Sequence, residues 1–428
     1  MRLQLFLIAM LVTVPPAIAQ ESLRPDVPVA IVGGMLLDGY EAAPIHHSVV
    51  VFENGRITAV GQKHDTEIPD NAVVIDAGGR TVMPGLIDAH MHIDLIGHGS
   101  YEDYYELIGD MDNIGRFMQI AAKQMIRAGV TSGLDLGAPF QAFDFRERVR
   151  RGEIPGPRLT LSGPWITRVD YDTVPDEYEI VIDSPRDAAQ KSRELIVRGV
   201  DVIKVWVGLT EDDYRAVVEE ANKAGVKVHA HLYDPEAIRM AIDTGVHVFQ
   251  HVGSARNPPY DDALLSEIAH RNIPIVQTIA HRIWVYPATV AFPEKLYDPV
   301  YRDDMPADVY ESFIASFDNY HRLSYYQDIG QETRNSRISA KQFIEAGAYM
   351  GVGTDAASPL NMHDQAMWRE MSALVDSGMT PIQVISAATK TNAEILGQFD
   401  ELGTIEPGKL ADIIFVDGYP LRNVEVLD

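Results

Sequence analysis

Between residues 84 and 395 the chain alternates short, largely apolar runs with stretches whose apolar positions recur at helical spacing. The clearest unit opens with the run Val202–Val207 and passes Thr210, an expected N-cap, into a helix that sets Tyr214, Val217, Val218 and Ala221 on one face. Gly225 stops that helix, and Val226 re-enters a strand. After Asp234-Pro235 the unit repeats, with a helix through Ile238 and Ala241, a stop at Gly245 and a strand from Val246 to His251. Such repeats predict a parallel sheet, and enough of them fit here for a (β/α)8 TIM barrel within an α/β fold. Chemistry in that fold sits at the C-terminal ends of the strands.

The two ends of the chain read differently. From Val29 to about Val82 there are short strands, Ala30–Val32, Ser48–Phe52 and Arg56–Val60, with Asn54-Gly55 as a tight turn. Near the C-terminus Ala411–Val416 is another strand after the Pro407-Gly408 turn. Residues 20–83 and 400–428 are therefore expected to build one small β-sandwich domain beside a barrel at 84–399. Met1-Arg2, an apolar run from Leu3 to Val14, and the small-x-small site Ala17-Ile18-Ala19 read as a cleaved secretory signal over residues 1–19. The run is shorter than the roughly 20 apolar residues a bilayer span needs. A periplasmic or secreted protein starting at Gln20, off the membrane once cleaved, is the expectation.

The chain has no cysteine, which removes disulfides, thiolate ligands and thiol nucleophiles. Any metal must then be held by histidine, carboxylate or a less usual donor. A formal charge of -26 argues against nucleic-acid or anionic-membrane partners and leaves a small molecule as the expected partner. Self-association into a homo-oligomer stays open.

Strand ends supply the candidate chemistry. His90-Met91-His92 closes the run Thr81–His92, and residues i and i+2 of a strand project to one face, so the two imidazoles converge as a chelate. A middle strand carries Lys204 between Val202-Ile203 and Val205-Trp206-Val207, where an unpaired ammonium is costly and a CO2-modified amine on a metal would remove the cost. The following strands end His229-Ala230-His231 and Gln250-His251, and the last ends Gly353-Thr354-Asp355. Singly, each has an ordinary alternative: a hydrogen-bonded core histidine, or an aspartate starting a turn before Ala-Ala-Ser-Pro. Five strands placing a ligand type at one rim argue for a site.

Pro84–His92, Lys204, His229-Ala230-His231, Gln250-His251 and Gly353-Thr354-Asp355 together resemble the amidohydrolase superfamily, and more closely its imidazolonepropionase-related branch, which includes Xaa-Pro dipeptidases. The resemblance runs from about Val29 to about Gly418 and includes the closing Leu402–Asp412. It implies a binuclear centre of two divalent metal ions, zinc by default. His90, His92 and Asp355 would hold one ion and His229 and His251 the other, with carboxylated Lys204 bridging both. Asp355 would take the proton of the activated water and pass it to the leaving amine.

His229 occupies the ligand position, and His231, on the same face, is left for substrate, with the choice between them open. Related dipeptidases carry Gly-Gly-His after the third strand, whereas here Gly163-Pro164 leads into Trp165-Ile166-Thr167-Arg168. Residues His281 to about Arg337 form a long, aromatic-rich connection in which an extra helical hairpin is expected, with His281 as a substrate contact. Trp165, Tyr233 and His231 are the further expected substrate contacts. The implied activity is metal-dependent hydrolysis of an amide or peptide C–N bond in a dipeptide or N-acyl amino acid with a bulky apolar group. Cyclic-amide hydrolysis or deamination is the enzymatic alternative, although three residues after His229 stands Leu232, not the glutamate usual in deaminases. A non-catalytic periplasmic metal- or ligand-binding protein is the other, and it would not need Asp355 or Lys204.

Overall fold

Eight parallel strands run in chain order around a barrel: Leu86–Met91, Val130–Asp135, Arg158–Leu161, Val202–Val205, Lys227–His231, Val248–Gln250, Ile275–Val276 and Met350–Gly351. Strands one to three pair continuously, as do strands four to eight. The ring closes through isolated bonds: the Asp201 N–H donates to Leu161 O at 2.9 Å between strands three and four, and the Ala89 N–H to Val352 O at 3.0 Å between strands eight and one. This computed structural model describes residues 27–252 and 259–428; the expected secretion signal, residues 1–19, lies outside the described residues.

The helices that follow the strands form where their caps allow. Thr210 and Asp213 make a reciprocal capping box at the start of Glu211–Ala224, and Gly225 ends it in the left-handed conformation, φ 70°. Asp234 caps Pro235–Thr244, whose C-cap Gly245 has φ 80°. Inside the ring, side chains two residues before the candidate site share its face. Val202 precedes Lys204, Val248 precedes Gln250 and Val276 precedes Thr278, and these valines pack with Leu134, Ile395 and Leu402 into one buried cluster. The site therefore rests on an apolar plug that fixes its floor.

Both chain ends contribute to the β structure beside the barrel. One sheet has the order Arg56–Gln62, Ser48–Glu53, Val29–Val32, Val73–Asp76, and a second the order Ile413–Val416, Thr81–Pro84, Met35–Leu36. Ile31, Val50, Ile57, Val82 and Ile405 are buried between them. The Asn54-Gly55 turn has φ 53° and 73°, which a two-residue hairpin turn of this hand requires.

The long connection after strand seven is helical, including Tyr286–Ala291, Pro299–Asp304 and Ala307–Ala315. Its Tyr301, Phe313, Phe317 and Tyr326 are buried as core. Asp304, almost wholly buried, anchors it to the helix Ile114–Arg127 through Lys123 at 2.9 Å and Arg127 at 2.6 Å. Among the described residues no helix is long and apolar enough to cross a membrane.

Candidate metal and substrate site

His90 stands one residue before the end of strand one, and His92, just past that end, shares its face. Asp355, beyond strand eight, reaches both: its Oδ1 lies 3.5 Å from His90 Nε2 and 3.3 Å from His92 Nε2. The ligand atoms of these three residues all lie within 4.8 Å of one another. The approach depends on Gly353, where a Cβ would stand 2.8 Å from His90 Cβ. Asp355 itself is held at φ 55° with its N–H donating to His90 O at 2.8 Å.

Lys204 and His229 are cross-strand partners on strands four and five. Both are buried, and Lys204 Nζ and His229 Nε2 have no hydrogen-bond partner among the described residues. Each such atom costs about 1–3 kcal/mol, so two as neighbours suit a place where an added group satisfies them. Gln250 links this pair to the first cluster, with Oε1 2.7 Å from His90 Nδ1 and Nε2 3.0 Å from His229 Nδ1. His251 packs its ring 4.3 Å from that of His90, and its Nδ1 meets Thr278 Oγ1 at 2.8 Å. Neighbours thus occupy the Nδ1 atoms of His90 and His251 and leave their Nε2 atoms to bind, the arrangement metal-binding histidines need. The six expected ligands form one continuous group, and their nitrogen and carboxylate donors fit divalent cations such as zinc.

Burial and neighbouring charge set the protonation of this group. His90, His229 and His251 are driven well below the ordinary imidazole value by burial, with the Lys204 amine adding to it. Burial also lowers Lys204 to about 7, against the attraction of Asp355. Although burial opposes its charge, Asp355 stays well below the usual carboxylate range through the hydrogen bond from His92 and its interaction with the neighbouring His90 and His281. His92 shows the converse: burial opposes its charge, and Asp355 raises it. Neutral imidazoles beside an ionised carboxylate are the protonation states that bind metal.

Above the ligands opens a cavity of about 510 Å³, lined among others by His90, His92, Lys204, His251 and Asp355. All four expected substrate contacts line it: Trp165, His231, Tyr233 and His281. His229 lies behind that lining, on Gln250, whereas the His231 ring packs 4.4 Å from His251 and 4.7 Å from Tyr233. Trp165 owes its position to Gly137, where a Cβ would come 2.4 Å from the indole ring.

Several site residues were not legible as such. Arg282 lines the cavity beside His281, with Nη2 3.3 Å from Tyr233 Oη; a single arginine after a histidine carries no sequence signal. Gln250 stands in the quoted motif, but only the fold reveals it as the link between two strands' histidines. Asp88 shares the alternation of His90 and His92 and could have been found by it: it accepts from Thr354 Oγ1 at 2.6 Å and from the His90 N–H at 3.0 Å, tying strand one to strand eight. Asp94 lines the cavity, pushed up to about 7 by burial and by the nearby Asp135 charge. Among the described residues, most of the aromatic wall comes from Tyr101, Tyr105, Tyr171, Tyr178 and Trp206, and Tyr286 is the one contributed by the long connection.

The Amidohydrolase family profile matches residues 81–428. Ochratoxinase of Aspergillus niger is 24% identical over 445 residues, covering 92% of this chain and 82% of that one. Imidazolonepropionase of Geobacillus kaustophilus is 24% identical over 416 residues, covering 86% and 84%. The crystal structure of a Xaa-Pro dipeptidase with methionine bound in its active site superposes with a TM-score of 0.73 at 22% identity, covering 94% of this chain and 96% of the other, which shows a shared fold. With the barrel and its rim of histidines, these matches mean that the chain belongs to the Amidohydrolase family and is a hydrolase of carbon–nitrogen bonds.

Proposed function

We propose that the protein is an exported, binuclear metal-dependent amidohydrolase that cleaves the amide C–N bond of a dipeptide or N-acyl amino acid. One observation carries this reading: His90, His92 and Asp355 at mutual ligand distance, joined through Gln250 to the buried His229, whose Nε2, like the Nζ of its cross-strand neighbour Lys204, has no hydrogen-bond partner among the described residues. His90, His92 and Asp355 would hold one cation, His229 and His251 the second, and Lys204, as a carbamate, both. Two such cations supply the charge that acidifies a water and polarises the scissile carbonyl.

The chain's own residues do the rest. Asp355, ionised and at the reacting centre, accepts the proton of the attacking water and returns it to the leaving nitrogen, so amide and water become carboxylic acid and amine, which part as carboxylate and ammonium. Arg282, its guanidinium beside Tyr233, pairs with the free carboxylate of the amino acid to be released. His231 and Trp165 bound the acyl side and keep water from it. Export rests on the N-terminal sequence, and cleavage after Ala19 is read directly by N-terminal analysis of the secreted or periplasmic protein.

The test is a screen of purified, zinc-loaded protein against dipeptides, N-acyl amino acids, cyclic amides and aminopurines. Release of a free amino acid from members of the first two groups is expected. Turnover confined to the cyclic amides or the aminopurines would replace this reading with the corresponding alternative.

A further inference from the structure

We infer that Asp94, framed by the aromatic wall of the cavity, is a subsite for a substrate ammonium group, so that the preferred substrate is a dipeptide with a free α-amino group. The inference rests on the amide-hydrolase reading above and decides between its two substrate types. Asp94 lines the cavity while being only 1% exposed. Its backbone oxygen accepts the Tyr104 hydroxyl and its Oδ2 the Tyr178 hydroxyl, the latter at 2.7 Å. The first bond fixes the backbone at Asp94 and the second aims its side chain. Oδ1 is buried with no hydrogen-bond partner among the described residues.

A carboxylate oxygen in that state is expensive beside an apolar occupant and favourable beside a donor cation. The surrounding rings agree. Trp165 and Trp206 have ring centres 4.9 Å apart, Tyr171 and Trp206 4.7 Å, and Tyr105 and Tyr178 5.1 Å. Together with Asp94 they make an electron-rich box, and aromatic faces attract ammonium groups where water is excluded. An N-acyl amino acid lacks the charge this box would hold.

Position also selects the α-amino group. Asp94 lies two residues past His92, at the cluster where the scissile carbonyl must sit, and in a dipeptide the ammonium is one carbon from that carbonyl. Arg282 follows strand seven, and Trp165 and Tyr178 follow strand three, which in a ring of eight is the opposite side. Asp94 itself follows strand one and is tied by Tyr178 to the segment after strand three, so the cavity offers a cation and a carboxylate at separate places, the complement of a dipeptide zwitterion.

The experiment compares L-leucyl-L-phenylalanine with isocaproyl-L-phenylalanine, the same molecule without its amino group, on zinc-loaded protein. A charge-assisted bond to a desolvated carboxylate predicts that kcat/KM favours the dipeptide by at least about 30-fold. In Asp94→Asn the ratio should fall to within about threefold, and in Tyr178→Phe, which removes the bond aiming Asp94, to an intermediate value. The wild-type ratio and Tyr178→Phe keep the test valid if Asp94→Asn does not fold or loses metal. Equal wild-type rates on the pair, or an unaltered ratio in folded Asp94→Asn, would overturn the subsite and leave amide hydrolysis standing. Hydrolysis of neither compound would count against the amide reading. Calorimetric titration of the same pair then decides the subsite: tighter dipeptide binding upholds it and equal affinities overturn it.

Discussion

Replacing Lys204 by methionine separates what this residue does for metal from what it costs the fold. Burial takes the amine from 10.5 to about 7, and at about 1.4 kcal/mol per decade of proton affinity that displacement amounts to roughly 5 kcal/mol. The sign follows from where the proton resides. An unfolded chain keeps it up to pH 10.5 and the folded, metal-free protein releases it near 7, so the penalty is complete below pH 7 and disappears as pH rises toward 10.5. Methionine is of similar length, carries no charge and adapts to irregular space. With roughly 400 residues the unfolding entropy is about 0.8 kcal/mol/K, which turns 5 kcal/mol into at most about 6 °C. In CO2-free buffer with chelator, Lys204→Met should therefore melt a few degrees above wild type at pH 6, with the gain fading toward pH 10. The metal-loaded variant should at the same time lose bound metal and activity. Calorimetric melting of both proteins across that pH range is the assay, and a variant that melts lower at pH 6, or by a pH-independent margin, would refute the reasoning. The same displacement suits Lys204 to carbamylation: at pH 7 about half of it is free amine, against roughly one part in 3,000 of an ordinary lysine. That amine can attack CO2, giving the carbamate and a proton.

Asp355→Asn should lower kcat by at least roughly a thousandfold while the circular dichroism spectrum stays native, because both a metal donor and the proton carrier are lost; near-normal turnover would point to a binding protein. Arg282→Met should raise KM for leucyl-phenylalanine by about 100-fold and erase the enzyme's preference for it over the C-terminal amide, read from steady-state kinetics. Gly137→Ala must displace the Trp165 ring, whose nearest atom would stand 2.4 Å from the new Cβ. It should cost about tenfold in kcat/KM, and unchanged kinetics would mean that Trp165 does not bound the substrate.

The sequence was most informative where geometry is local. Two-residue alternation sets His90 and His92 on one face whatever surrounds them, and Thr210, Gly225 and Gly245 start and stop helices through their own backbone and side-chain chemistry. The assembly of six candidate ligands on five strands became legible because a barrel gathers strand ends at one rim. Groups whose role depends on a distant partner were out of reach. Asp94 matters through Tyr178, 84 positions away, and Gln250 through His90, 160 positions away. Arg282 is placed by a turn in which Glu370, on the helix after strand eight, accepts the N–H groups of Ile279 and Ala280. The aromatic content of residues 281–337 was plain in the sequence, but its division into buried core and the cavity-lining Tyr286 depends on how the inserted helices pack.

Elemental analysis of the purified protein, after loading with excess zinc and desalting, counts the ions held by the proposed two-ion centre of His90, His92, Lys204, His229, His251 and Asp355. About two ions per chain are expected, falling to one or fewer in Lys204→Met. A wild-type value of one or none would contradict it.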